Sequence, residues 1–296
     1  MNAKRLLLVM AVTTSLSARA GAQDITGARP LGMGSAFRGI ASSNDAIYLN
    51  PAGMSLFRRY SLEVQYLLVP DYSARDAADQ HVVQLSVVDN QIQPFATGLA
   101  YTRVERGDDK SGNRYDLAFS IPLTEGLFIG TDVKYLDFDR KDRANVDAVS
   151  VDVGMLLQTS FGLHLGVVGY NLTNTADYLE HPISMGLGVM YSPFRSLEIS
   201  FDWTINFQKP EDPNEPAGRK STGYAYSFGV EYLLFGQMTV RAGYSIDRSS
   251  PFGDDQYWTV GAGYISRAFA FDFGYRGSVN HTDWGNHFGF GIRLFL

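Results

Sequence analysis

The sequence contains no cysteine among its 296 residues, so it can form no disulfide, no thiolate nucleophile and no cysteine-ligated metal site. It also lacks an excess of positive charge. The net charge is −6 and the pI is about 5.4, which argues against a nucleic-acid binder with a basic face. Trp is scarce at 3 residues, whereas Tyr, Phe and Gly number 17, 19 and 30. This composition favours an all-β protein over a helical enzyme.

Long apolar runs are missing as well, apart from one at the N-terminus. There a positive pair, Lys4 and Arg5, precedes an apolar core at 6–16 and small residues at 20–22. This layout predicts a secretory signal peptide over 1–22, cleaved to leave a mature protein for export. A membrane anchor is the alternative, but the apolar run is well short of the ~20 residues that a spanning helix needs.

From residue 60 to the C-terminus, apolar and polar residues alternate in fourteen successive segments. In the clearest one, at 197–207, Leu, Ile, Phe and Trp alternate with Glu, Ser, Asp, Thr and Asn. Such alternation gives each strand one apolar and one polar face. The predicted strands lie at 60–69, 81–88, 95–104, 114–121, 127–136, 147–157, 162–170, 183–191, 197–207, 224–234, 238–246, 257–265, 268–276 and 287–296.

The connections between these segments alternate between short turns and longer polar loops, as in outer-membrane β-barrels. A soluble β-sandwich alternates in the same way, but it needs crossovers that these hairpin-length connections lack. Aromatic residues near strand ends, such as Tyr60 and Trp258, fit the interfacial girdles of a membrane barrel. The sequence therefore predicts an all-β, 14-stranded antiparallel transmembrane β-barrel over 59–296, located in the cell outer membrane among its lipid and lipopolysaccharide.

The segment at 28–55 is rich in Gly, Ala and Ser and has no sustained helical or strand period. A barrel of fourteen strands is too wide for its wall side chains alone to fill, and this is the only free segment of the chain. Pro51 holds Asn50 extended and, together with Gly53, favours a tight turn just before the first strand. We therefore predict that residues 23–58 form a plug, or hatch, in the lumen.

Four motifs in this segment resemble the N-terminal hatch of the FadL-like family of outer-membrane long-chain fatty-acid transporters, and the PorV-like barrels of type IX secretion share the pattern. They are Gly32-Met33-Gly34, Ala36-Phe37, Asn44-Asp45-Ala46 and Asn50-Pro51-Ala52-Gly53-Met54. The resemblance implies a hatch that blocks the path of a hydrophobic ligand and shifts to release it. The hatch or gate residues would be Gly32, Gly34, Phe37, Asn44, Asp45, Asn50, Pro51, Ala52 and Gly53.

The C-terminal strand resembles the β-signal by which the barrel assembly machinery recognises its substrates, except that the chain ends on Leu296 and not on an aromatic residue. The resemblance to fatty-acid transporters would also imply that ligand leaves sideways through the barrel wall near a distorted third strand. Gly98 lies in that strand here, but no motif indicates a kink, so we do not predict this exit for the present chain.

Two functions remain open from the sequence. The first is hatch-gated passage of small hydrophobic molecules. The second is a non-transporting, PorV-like anchor or docking barrel that binds other envelope proteins of a secretion, surface-assembly or gliding-motility machine. Fatty-acid transporters have extended extracellular segments that form a hydrophobic capture site, whereas the longest loop here, at 208–223, is polar. That difference argues against long-chain lipid uptake and supports the second alternative, whereas the hatch motifs and the strand count favour the first.

The polar faces of the predicted strands carry many ionisable residues, which either hydrogen-bond to the plug and to water or form a selectivity lining. Arg29 and Arg38 of the plug should meet carboxylates there. The predicted lumen lining is Glu63, Asp132, Lys134, Asp152, His164, Glu198, Asp202, Arg241, Asp272 and Arg276, together with Asp116, Glu231 and Arg293.

No pattern in the sequence indicates catalysis or a cofactor. We find no Ser/His or paired-acid arrangement of the kind that barrel enzymes use, so we predict a non-enzyme without catalytic residues. Gly32-x-Gly34 opens no βαβ unit and therefore predicts no nucleotide site. Solvated loops explain three further clusters better than metal ions do, so no metal site is predicted. These clusters are His281, Asp283 and His287, and the acidic sets Glu211, Asp212, Glu215 and Asp254, Asp255.

Overall fold

The computed structural model describes residues 27–70, 79–91, 95–107, 110–140, 145–173, 182–209, 221–248, 254–280 and 286–296. The predicted signal peptide at 1–22 lies outside these residues.

In this part of the chain, fourteen strands close into one antiparallel barrel. Each strand pairs with its sequence neighbours, and β1 closes the barrel by pairing with β14. The strands are β1 Tyr60–Val69, β2 Gln80–Asp89, β3 Ala96–Arg106, β4 Lys110–Thr124, β5 Leu127–Arg140, β6 Val146–Gln158, β7 Leu163–Tyr170, β8 Ser184–Phe194, β9 Leu197–Lys209, β10 Ser221–Leu234, β11 Met238–Asp247, β12 Asp255–Ile265, β13 Phe269–Ser278 and β14 His287–Phe295. The predicted all-β, 14-stranded antiparallel barrel is confirmed.

Polar residues face the inside of the barrel and apolar residues face outward, the reverse of the arrangement in a soluble protein. On β1, Glu63 and Gln65 face inward and are 1% and 2% exposed, whereas the outward-facing Val64 is 46% exposed. The same reversal recurs around the barrel, with outward Leu99 59% exposed and inward Asp132 fully buried. A β-sandwich would bury its apolar face, so this alternative is wrong. An apolar outer band around a polar interior fits insertion into a membrane.

Several strands extend further toward the long loops than the alternation predicts. Residue pair Glu105 and Ser111 continues the β3–β4 ladder, so β4 begins at Lys110 and not at 114. Most residues of these extensions are polar and carry no period-2 signal, but they still pair through the backbone. Phe138 on β5 and Val146 on β6 are apolar exceptions that face inward. The sheet also shifts register at Pro122/Thr124, where β4 turns into β5.

The third strand is regular. β3 pairs with both β2 and β4 without a register shift, and Gly98 lies within both ladders. A Cβ atom built on Gly98 would lie 2.7 Å from Met54 Sδ and 2.9 Å from Ile47 Cγ1. The absence of a side chain there lets the segment that precedes β1 pack directly on the wall.

That preceding segment, residues 27–57, contains three short helices: α1 Ala28–Gly32, α2 Ala46–Leu49 and a 3₁₀ helix at Pro51–Leu56. Asn50 is extended, with φ −162° and ψ 97°, and Gly53 N donates to Asn50 O at 3.0 Å, so the predicted tight turn is confirmed. Phe37 and Ile47 are fully buried and belong to an apolar cluster with inward-facing wall residues. No helix in the described ranges is long and apolar enough to cross a membrane.

Candidate functional site: the barrel lumen

Arg29, at the start of the N-terminal segment, lies against carboxylates of two neighbouring strands. Its Nε and Nη2 donate to Glu231 on β10 at 2.9 and 2.7 Å, and Nη2 also donates to Glu198 on β9 at 3.2 Å. Its guanidinium stacks over the Phe37 ring, 5.0 Å from the centroid. Glu231 is also paired with Arg241. Two cations and two carboxylates therefore compensate one another in a largely buried site, with Glu198 the most exposed of the four.

Arg38 binds the wall through its backbone and its side chain together. Asp202 Oδ2 on β9 accepts from Phe37 N and Arg38 N at 2.9 Å each, and from Arg38 Nη1 at 3.1 Å. Arg38 Nε donates to the Tyr170 hydroxyl at 2.8 Å, and that hydroxyl donates to Leu49 O. The expectation that Arg29 and Arg38 meet carboxylates is confirmed.

Asn44 and Asp45 bind the opposite side of the wall, on β1 and its neighbours. Asp45 Oδ1 accepts from Gln65 Nε2 at 2.9 Å, and its Oδ2 lies 3.7 Å from Arg293 Nη2. Burial raises the pKa of Asp45 above its usual value, although Arg293 and the Gln65 hydrogen bond act in the opposite direction. Asn44 donates to Ser86 Oγ at 3.0 Å.

The Asn50–Gly53 turn is wedged against β4, β5 and β6. Asn50 Nδ2 donates to Met155 O at 3.2 Å, and its Oδ1 caps the 3₁₀ helix by accepting from Ala52 N. A Cβ atom on Gly154 would lie 2.2 Å from Asn50 Oδ1, and one on Gly130 would lie 2.4 Å from Ala52 N. The wall glycines therefore let the backbone of the turn touch the sheet.

Gly32 and Gly34 contact β12 through one hydroxyl. Thr259 Oγ1 accepts from Gly34 N at 2.9 Å and donates to Gly32 O at 3.1 Å. Gly34 has φ +63°, in the left-handed region, and a Cβ atom there would lie 2.8 Å from Phe228 O. This position therefore needs glycine both for its conformation and for its closeness to the wall.

Every residue predicted to line the lumen faces inward in the structure. Lys134 Nζ donates to both oxygens of Asp152 at 2.7 Å, and Asp272 lies 2.8 Å from Arg241. Asp132 Oδ2 is 3.6 Å from the Arg114 guanidinium. The inward-facing residues divide into those that touch the N-terminal segment and those that touch only the wall. Glu198, Asp202 and Glu231 belong to the first group, and Lys134 and Asp152 pair with each other.

Sequence reasoning missed an apolar row on the inner wall near the long loops. The register joins Leu67, Val82 and Val104 across β1–β3, then Phe138 and Val146 through Gly112. All five side chains are at most 4% exposed and cluster with Leu31 of α1. The row could have been found from the phase of the alternation. These apolar residues fall on the same face as the polar residues in the middle of their strands, and that face points into the lumen.

Most residues of the rejected metal clusters lie outside the described residues: His281, Asp283, Glu211, Asp212 and Glu215. Of the others, His287 Nε2 lies 2.7 Å from Arg276 Nη2, and Asp254 pairs with Arg248 at 3.0 Å. Within the described ranges, no group of three or more His, Cys, Asp or Glu residues could hold a metal ion.

Comparison with known proteins places the chain by its fold. No sequence-family model and no curated protein matches it. It is similar to the crystal structure of a Pseudomonas aeruginosa FadL homologue, at 13% identity over 91% of this chain and 97% of that chain, with a TM-score of 0.60. It is likewise similar to the Ralstonia pickettii toluene transporter TbuX, at 13% identity, 91% and 97% coverage and a TM-score of 0.64.

A third similar structure is the P. putida toluene transporter TodX, at 15% identity, 91% and 96% coverage and a TM-score of 0.63. Agreement over nine-tenths of each chain extends the resemblance from the N-terminal motifs to the whole barrel. The protein therefore has the fold of a FadL-like outer-membrane barrel.

Proposed function

We propose that this FadL-like barrel passes small hydrophobic molecules across the outer membrane, and that residues 27–57 are the plug that gates the lumen. The observation that supports transport most directly is the likeness to the toluene transporters TbuX and TodX over some nine-tenths of the chain. Two features of the lumen support passage of an uncharged ligand: Arg29 pairs with Glu231 and Lys134 with Asp152, and an apolar row lies on the inner wall.

In this proposal the plug is held closed by ion pairs on opposite sides of the barrel. Arg29 and Arg38 bind the β9–β10 side, and Asp45 binds the β1–β14 side. Each pair is buried, so breaking one without supplying a new partner costs about 3–5 kcal/mol. The plug therefore opens only when ligand or a local rearrangement replaces some of these contacts.

The predicted gate residues take distinct parts in this mechanism. Gly32, Gly34 and Gly53 permit close backbone packing, because a Cβ atom on any of them would lie 3.0 Å or less from a backbone atom. Asn50, Pro51 and Ala52 form the wedge against the wall, and Asn44 and Asp45 bind the β1–β2 side. Phe37 fills the apolar centre of the segment.

The test of gating is uptake by cells that lack other transporters of this kind. Wild-type protein should raise entry of toluene, measured with labelled substrate, and should leave entry of hydrophilic antibiotics unchanged. Deletion of residues 23–55 should admit the hydrophilic antibiotics. If the deleted barrel assembles and its solute entry equals that of the wild type, residues 27–57 are not the gate.

Native mass spectrometry of the barrel, extracted gently from outer membranes, separates transport from the docking alternative. A single chain that carries a hydrocarbon-sized adduct supports transport. An empty chain held to stoichiometric envelope proteins would replace our proposal with an anchor or docking barrel.

A further inference from the structure

The apolar row, Leu67, Val82, Val104, Phe138 and Val146, is followed by a polar row one step deeper in the lumen. The register pairs Gln84 on β2 with Thr102 on β3, and Thr102 with Arg114 on β4. Gln84 is two residues from Val82, and Thr102 is two residues from Val104. At about 3.3 Å per residue, the two rows are about 7 Å apart.

Gln84 and Thr102 are buried without hydrogen-bond partners. Gln84 is 1% exposed and Thr102 is fully buried. In the described part of the chain, both polar atoms of the Gln84 amide lack a hydrogen-bond partner, and so does the Thr102 hydroxyl. A buried amide without partners is rare because it loses its bonds to water and gains none in return. Such a group requires an explanation.

Tyr48, on α2 of the plug, lies beside the Thr102 and Arg114 end of this polar row. Its ring lies against the Arg114 guanidinium, 5.3 Å from the centroid. Burial raises the pKa of the Tyr48 phenol well above its usual value, so the hydroxyl stays protonated. The Thr102 hydroxyl lies near this phenol, but neither hydroxyl has a hydrogen-bond partner of good geometry among the described residues.

The charges around this polar row disfavour an anion. Arg114 is already engaged, since its Nε and Nη2 donate to Asp116 Oδ1 at 2.7 and 2.5 Å. Asp116 Oδ2 has no hydrogen-bond partner among the described residues, and this carboxylate adds negative potential. A carboxylate would meet repulsion there, and Arg114 is already paired with Asp116. A hydroxyl matches the amide, because it donates to Oε1 and accepts from Nε2.

We propose that the apolar row and the Gln84–Thr102 pair form one binding site for a small apolar molecule that carries a single uncharged hydroxyl, as a phenol does. In the closed structure these side chains are covered and at most 4% exposed, so the ring or short alkyl body reaches the apolar row by displacing Leu31 of the plug. The hydroxyl, about 7 Å deeper, binds Gln84, with Thr102 and Tyr48 beside it. This inference rests on the proposed transport function, and it names the substrate class.

The test compares three ligands of one shape: toluene, p-cresol and p-toluate. Binding is measured by equilibrium dialysis of wild-type protein in lipid nanodiscs, with empty nanodiscs as the control for partitioning. We expect p-cresol to bind about tenfold more tightly than toluene, because the extra hydroxyl satisfies a buried amide. We expect p-toluate to bind least tightly.

Isosteric variants locate the preference. Gln84→Leu and Thr102→Val should bring the p-cresol to toluene ratio close to one, because each removes a polar group that would bind the hydroxyl. The matched control is Thr239→Val, which removes another buried hydroxyl without a partner in the described residues, on β11 near the short turns. It should leave the ratio unchanged. Circular dichroism confirms that each variant has formed its barrel.

The failures of the two proposals are distinguishable. If wild-type protein binds toluene and p-cresol equally, or p-toluate most tightly, the hydroxyl site is wrong and transport of hydrophobic molecules stands. Retention of the preference for p-cresol in both isosteric variants would also overturn the site. If wild-type protein neither binds nor takes up any of the three, the proposed function itself is wrong.

Discussion

The carboxylate of Asp202 accepts two hydrogen bonds from Arg38, one from the backbone N–H at 2.9 Å and one from the guanidinium at 3.1 Å. One wall residue therefore fixes both the path of the plug and the orientation of its side chain. Both side chains are shielded from water, with 12% and 1% exposed. A charge pair of this kind adds little when intact, but it is costly to break from one side.

Asp202→Ala should loosen the plug. The variant leaves the Arg38 guanidinium buried, with the Tyr170 hydroxyl as its remaining side-chain hydrogen-bond partner among the described residues, so the closed state should lose about 3–5 kcal/mol. In planar bilayers, wild-type channels should stay closed to ions and the variant should open frequently. Asp254→Ala is the control, because it breaks an ion pair with Arg248 in which both side chains are about half exposed. Equal conductance in both variants would contradict a latch at Asp202.

A double-mutant cycle on Arg29 and Glu231 should show strong coupling. Arg29→Met leaves Glu231 and Glu198 with less compensation, whereas adding Glu231→Gln removes the uncompensated charge and leaves Arg241 paired with Asp272 at 2.8 Å. We expect a coupling energy of about 1–3 kcal/mol in urea unfolding from lipid vesicles. The exposed pair Arg103–Glu105 should give less than about 1 kcal/mol. Additive effects at Arg29 and Glu231 would contradict the buried pair.

Much of the barrel follows from the sequence, because period-2 alternation is local. The first strand was predicted at 60–69 and lies at Tyr60–Val69. The wall residues that bind the plug do not follow from such a local pattern, since Arg29 and Glu231 are 202 positions apart. Charge alone predicts that Arg29 meets a carboxylate. Only the closed register decides which one, because many carboxylates face the same lumen.

The apolar row of the lumen escaped prediction for a related reason. Val82 and Val104 look like ordinary strand residues, and their direction depends on the phase of the alternation in each strand. Gln84 looks like any polar wall residue in the sequence. Its lack of hydrogen-bond partners in the described structure depends on what the neighbouring strands and the plug place around it.

The outer band gives a test of membrane insertion on a single strand. Val133 and Asp137 both face outward on β5, Val133 near its middle and Asp137 near its loop end. Val133→Arg should reduce the free energy of unfolding from lipid vesicles by about 2–4 kcal/mol, whereas Asp137→Arg should cost about 0–1 kcal/mol. Similar costs at both positions would contradict a hydrocarbon layer centred on Val133.

Gly154→Ala should prevent the Asn50–Gly53 turn from seating. The added Cβ atom would lie 2.2 Å from Asn50 Oδ1 and 3.2 Å from Pro51 Cδ. The wall backbone is fixed by pairing with Gly130 and Val168, so the plug must yield, and Asn50 loses its bond to Met155 O. We therefore expect the variant to admit hydrophilic antibiotics and to expose residues 27–57 to protease, while the barrel itself stays folded.

Gly291→Ala is the matched control for this prediction. Gly291 also faces the lumen, on β14, but a Cβ atom there would meet nothing closer than 3.5 Å, the distance to Gln65 Cγ. The variant should keep wild-type permeability and protease resistance. If both alanine variants behave like the wild type, the close contact between wall and turn does not hold the plug shut. If both open the pore, any side chain added to the inner wall is enough to displace the plug, and the contact at Asn50 has no special part in closure.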